Sequence, residues 1–275
     1  MDHTTRILLA LFLCATSVFS QDTTDLSLRN LNPFTGIVSN ATNAFTGWNA
    51  ALQLGAIAIT PILVNSGADR VTHNWLVQNQ TLEPATIPAV WGTYLLPATL
   101  TGGLYAYGRM KDSPRAVAAA CAVSQATAMS FAYQSILKSV TGRPGPKARA
   151  MSQDEVAEFP FGFMEGGIHY GWPSGHMMTT TSILVSLQTI YPESRTLKWG
   201  GAAWVTYVFG SVLMHEQSHM HHLSDAVAGT LMGYAIGRSV GAGFSQRIGI
   251  HEQTSNVRID PVIGTASGAV VKVTF

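Results

Sequence analysis

The chain is short of charge, of cysteine and of long unbroken apolar runs, and each shortage excludes something. Charged side chains make up 11% of its 275 residues and leave a formal charge of +1. No basic surplus exists to neutralise a phosphate backbone, so nucleic acid is not an expected partner, and no acidic run forms a solvating tail. Cysteine occurs twice, at Cys14 and Cys121. Removal of an N-terminal signal would leave Cys121 alone and exclude an intramolecular disulfide, which only small cores need. Hydrophobic residues reach 47%, yet none of the apolar stretches runs uninterrupted for the length of a bilayer span, and mean hydropathy is only +0.19.

What is present starts with an export signature. Arg6 precedes an apolar run from Ile7 to Leu13, and small residues follow at Ser17 and Ser20. Residues 1–20 therefore read as a secretory signal, too short to span a membrane, and the expected location is periplasmic or extracellular. Residues 21–44 are polar and aperiodic and read as a leader. Apolar stretches at about 46–64, 88–107, 115–138, 176–191, 198–214 and 224–240 have helical lengths and Ala, Leu and Met content. They predict an all-α bundle of about six main helices over 45–245. Polar residues such as Asn49, Gln53, Thr101, Ser124 and Gln125 interrupt them, which favours a soluble or membrane-associated domain over a six-span protein. In the tail, 246–275, Val271, Val273 and Phe275 alternate with Lys272 and Thr274 and predict a short C-terminal β-hairpin with Val257, Ile259 and Val262.

Three segments carry chemistry. Lys138 stands near the end of one predicted helix, followed by Arg143-Pro144-Gly145-Pro146. Pro173-Ser174-Gly175-His176 opens another, and His221-His222-Leu223-Ser224-Asp225 opens a third. A helix start offers free N–H groups to an anion, here at Ser174 and Gly175, and Lys138 offers a cation. His221 can attack phosphorus if Asp225, four residues on, holds its other nitrogen. His176 is then placed to protonate the leaving oxygen and afterwards to activate water. No cofactor and no metal is needed for this chemistry.

These segments resemble the type 2 phosphatidic acid phosphatase superfamily, which includes lipid phosphatases, bacterial acid phosphatases and vanadium haloperoxidases. The resemblance covers about 66–240, in the family's order. Pro-Ser-Gly-His is intact at Pro173 to His176, and His221 and Asp225 match the His and Asp of the last motif. Two family arginines are absent: Gly145-Pro146 stands where Arg-Pro is expected after Lys138, and Met214-His215 where Ser-Arg is expected before His221. The resemblance implies catalytic His221, His176 and Asp225, with phosphate held by Lys138, Ser174 and Gly175. Arg143, Lys147, Arg149 and a protonated His215 are the cations available to fill the two gaps. The absent clamps argue against a haloperoxidase, which must hold vanadate tightly. The implied substrate is a phosphorylated lipid or small phosphate ester, met near a membrane surface.

Two other readings compete. His215-Glu216-Gln217-Ser218-His219 fits the zincin pattern of two histidines on one helix face with a glutamate between. Four of the nine histidines crowd into 215–222, which makes a chance match easy, and a zinc peptidase leaves Lys138 and Pro-Ser-Gly-His without a role. A non-catalytic lipid-phosphate binder would explain the missing arginines.

Overall fold

The structure, a computed structural model, describes residues 31–79, 84–162, 171–214 and 221–249, together with the backbone of 256–262 and 268–274. Nine helices lie among the described residues: α1 Ile37–Asn43, α2 Gly47–Asn65, α3 Ala68–Gln78, α4 Ile87–Met110, α5 Pro114–Thr141, α6 Gln153–Val156, α7 Gly175–Ile190, α8 Arg195–Met214 and α9 Leu223–Arg247. The six predicted stretches correspond to α2, α4, α5, α7, α8 and α9. In the tail, the backbones of Asn256–Val262 and Gly268–Thr274 pair antiparallel, with Asn256 opposite Thr274 and Val262 opposite Gly268. The body is all-helical. The segment read as a signal lies outside the described residues.

The bundle is organised around α5, α7 and α9. Helix α5 starts at Ser113, whose hydroxyl accepts from Ala116 N at 3.3 Å, with Pro114 in its first turn. It stops at Gly142, whose left-handed φ of 59° suits a residue without a Cβ, and Gly142 N donates to Lys138 O. Every residue from Ala116 to Val123 is buried, so this stretch of α5 is core on all sides.

Helix α9 lies against α7 along Gly229, Gly233, Gly237 and Gly241, four glycines at four-residue spacing. A Cβ at Gly229, Gly233 or Gly237 would sit 2.4 Å from the carbonyl oxygen of Ser174, Met178 or Ser182 respectively, and one at Gly241 would sit 2.8 Å from Ser186 O. The glycines let two backbones approach more closely than any side chain permits, and this fixes the start of α9 beside the start of α7.

The polar residues that interrupt the apolar stretches find partners inside the protein. Thr101 Oγ1 and Ser124 Oγ are 3.2 Å apart, Ser130 donates to Ser182 at 2.8 Å, and Gln53 Nε2 reaches Ala44 O at 3.3 Å. Asn40 Nδ2 donates to Gln125 Oε1 at 2.6 Å. That buried pair corrects the reading of 21–44 as leader throughout: Asn40 belongs to α1, and its buried side chain is tied to the bundle through the bond from Nδ2 to Gln125. Helix α3 was also hidden in the sequence, because the face it buries is Asp69, His73 and Leu76 instead of an apolar stripe.

Candidate active site

The site gathers where three helix ends meet. Lys138 comes from the last turn of α5, His176 from the first turn of α7, and His221 and Asp225 from the entry to α9. The shared cavity is about 1220 Å³ and is bordered by Lys138, Gly175, His176 and His221. Away from these polar groups its wall is largely apolar, with Pro97 and Ala98 of α4 and Ala128 and Phe131 of α5 beside the hydroxyls of Thr101, Ser124 and Thr127.

His221 is buried, and its backbone N–H donates to Val212 O of α8 at 2.9 Å. Its Nδ1 lies 3.7 Å from Asp225 Oδ2, an ion-pair distance too long for a hydrogen bond. Burial, aided by the Lys138 charge, holds the imidazole below its usual 6.5, against the opposing pull of Asp225. The His176 and His221 ring centres are 6.0 Å apart, and Tyr94 packs edge-on against His176 with ring centres 5.3 Å apart.

Asp225 is fully buried. Burial alone would raise its carboxyl pKa, but Arg143 and the neighbouring histidines more than reverse that and hold it ionised. One oxygen, Oδ2, accepts from His222 N at 2.9 Å in a capping arrangement that opens α9; the other accepts from Arg143 Nη1. Lys138 is nearly buried, and desolvation pushes its ammonium down to about 8 despite the attraction of Asp225.

Two expectations for phosphate contacts need correction. Arg143 does not border the cavity: its guanidinium is fully buried and committed to Asp225, Asp69 and the carbonyl of Val156. Ser174 is likewise buried, and its hydroxyl caps its own helix by accepting from Met177 N at 3.4 Å. Lys147 and Arg149 lie on the surface and pair with Glu155 at 2.7 and 2.5 Å. Gly145 does border the cavity, so the position of the first absent arginine faces the site without a side chain. Lys138 is the one Lys or Arg among the described residues that line it. His215, with the rest of the zincin pattern at Glu216 and His219, lies outside the described residues.

Sequence reasoning missed Gln134 and Asp69. Gln134 lines the cavity one helical turn before Lys138, and its side-chain oxygen lies 1.6 Å from where a Cβ on Gly175 would be. Gly175 therefore makes room for that amide. The four-residue spacing to Lys138 was the available signal. Asp69 had none, because its partners are 74 and 155 residues away.

A helical domain with a His/Asp pair, a second histidine and a lysine around one cavity defines a class suited to phosphoryl transfer. Residues 118–247 form a domain of the PAP2 superfamily, which takes in Lys138, His176, His221 and Asp225 and leaves out α1 to α4. No curated protein and no solved structure matches the chain.

Proposed function

We propose that this protein is an exported, metal-independent phosphatase that hydrolyses a phosphomonoester or diphosphate of a lipid or isoprenoid through a phosphohistidine on His221. The observation that carries the reading is the shared cavity: two histidines and a lysine at one end, a largely apolar wall leading away. PAP2 superfamily membership supports a phosphate ester as substrate.

In this reading His221 Nε2 forms a bond to phosphorus as the bond to the leaving oxygen breaks, and His176 delivers a proton to that oxygen. Asp225 stabilises the positive charge that develops on the His221 ring. His176 then takes a proton from water, which displaces His221 and releases inorganic phosphate. Lys138 and the N-terminal N–H groups of α7 balance the phosphate charge.

Membrane association follows from surface apolarity. Two described helices, α2 and α5, are long and apolar enough to cross a membrane. In α2 only 22% of the apolar window is buried, against 61% in α5, and Trp48, Leu54 and Ile62 of α2 and Trp91 and Leu95 of α4 are exposed. A bilayer surface accommodates such side chains and delivers a lipid to the apolar wall of the cavity.

The test is phosphate release by purified protein from phosphatidic acid, an isoprenoid diphosphate and p-nitrophenyl phosphate, with and without a chelator. Turnover that survives chelation is expected. Activity lost on chelation and restored by zinc would replace this reading with the zinc peptidase-like site at His215 and His219. Saturable lipid-phosphate binding without turnover would replace it with the binder.

A further inference from the structure

We infer that Asp69 and Arg143 are positioning residues for His221, acting through Asp225 as one buried charge relay that reaches from α3 to the site. The inference rests on the phosphatase reading of His221. Arg143 bridges two carboxylates: Nη1 donates to Asp225 Oδ1 and to Ser224 Oγ at 2.7 Å, and Nη2 donates to Asp69 Oδ2 at 2.9 Å and to Val156 O at 2.9 Å. Asp69 closes the ring by accepting from Ser224 N at 2.8 Å and from Ser224 Oγ at 2.5 Å. The Phe159 ring covers the guanidinium at 4.6 Å. Asp69, Arg143, Ser224 and Asp225 are all fully buried.

This geometry does more than cap a helix. Asp225 presents Oδ1 to Arg143 and Oδ2 to His222 N and, at 3.7 Å, to His221 Nδ1, so Arg143 and the His222 amide together set the direction of the second oxygen. Charge is divided as well. Two carboxylates against one guanidinium leave a net negative charge behind the His221 ring, which is what a developing imidazolium requires. Without Asp69, Arg143 would neutralise Asp225 alone and weaken that support. Asp69 lies outside the 118–247 family match, so the relay is completed by a residue beyond the matched segment.

Among the described residues, the charged and titratable groups around His221 are Lys138 from α5, Arg143 from the loop after it, His176 from α7, Asp69 and His73 from α3, and His222 and Asp225 from its own segment. Helix α8 meets it through Val212. Asp69 and Arg143 border no part of the cavity, and each can be changed while the Asp225 carboxylate itself is kept.

The test compares D69N, R143Q and the double variant D69N/R143Q by two readouts: the pH profile of kcat/KM, and the ring titration of His221 followed by NMR without substrate. D69N should lower kcat about 10- to 100-fold with KM little changed, and move the His221 titration to lower pH. R143Q should move it to higher pH. The double variant restores the net charge and should bring the titration back towards wild type, an outcome that added structural damage does not produce. If the His221 titration is unmoved in folded D69N, the relay is wrong, and D69N alone decides this even if R143Q fails to fold. Absence of phosphate release by the wild type would instead overturn the phosphatase reading and leave the NMR titration to decide on the relay.

Discussion

Arg143 and Asp225, 82 residues apart in the chain, form an ion pair with no solvent exposure on either side chain. Arg143 follows Lys138 closely in sequence, yet it turns away from the cavity that Lys138 enters. The division of labour is physical. A guanidinium can satisfy two carboxylates and a carbonyl at once through its fork of donors, whereas the single ammonium of Lys138 is left facing the site.

This arrangement predicts a large stability effect. Arg143→Ala would leave two buried carboxylates without their common partner and should destabilise the fold by about 3–5 kcal/mol. Lys147→Ala, which removes an exposed pair with Glu155, should cost less than about 1 kcal/mol. Urea unfolding of both variants checks the ranking; equal losses would show that the buried pair is not the anchor.

The two shifted groups of the site predict the pH dependence of kcat/KM. His221 must be neutral to attack, and its depressed pKa keeps it neutral to lower pH than a free imidazole. The acidic limb should therefore lie below about 6.5. Lys138 must be charged to hold phosphate, and its pKa near 8 means that the charge is lost as pH rises through that value. Lys138→Arg should move the alkaline limb upwards, since guanidinium stays protonated. An unmoved alkaline limb in an active variant would assign it to another group, with His215 the first to examine.

Substitution of the histidines separates the two half-reactions. His221→Ala removes the atom that bonds to phosphorus and should abolish turnover, whereas Glu216→Gln should stay within several-fold of wild type. His176→Ala should slow hydrolysis of the phosphoenzyme, so that acid-labile phosphoprotein accumulates with p-nitrophenyl phosphate, whose leaving group needs little protonation. Rapid quench with labelled substrate reads this directly, and a variant in which Glu216 matters more than His221 would sink the mechanism.

The glycine ridge gives a prediction about packing. Gly233→Ala places a Cβ 2.4 Å from the Met178 carbonyl oxygen, and neither backbone can yield cheaply. A loss of about 1–3 kcal/mol is expected, although alanine has the higher helix propensity. The same change at Gly210, where a Cβ meets nothing within 4 Å, should be neutral or stabilising. Thermal unfolding of the two variants tells them apart.

The sequence alone determined the elements whose signals are local. Six apolar stretches of helical length, the helix start at Ser174 and the spacing of His221 to Asp225 can all be read within one or two helical turns. The pairing of histidine with carboxylate was therefore visible before any fold was known. Tertiary structure decided what depends on long-range partners. Whether Arg143 meets phosphate or a carboxylate turns on Asp69 and Asp225, far away in the chain. Whether Ser174 contacts substrate or only caps α7 turns on which way its burial points it. Helix α3 stayed hidden because it buries charge, and a buried charge is acceptable only when a distant residue pairs with it. That partner is chosen by how α3, α5 and α9 pack, which no local pattern records.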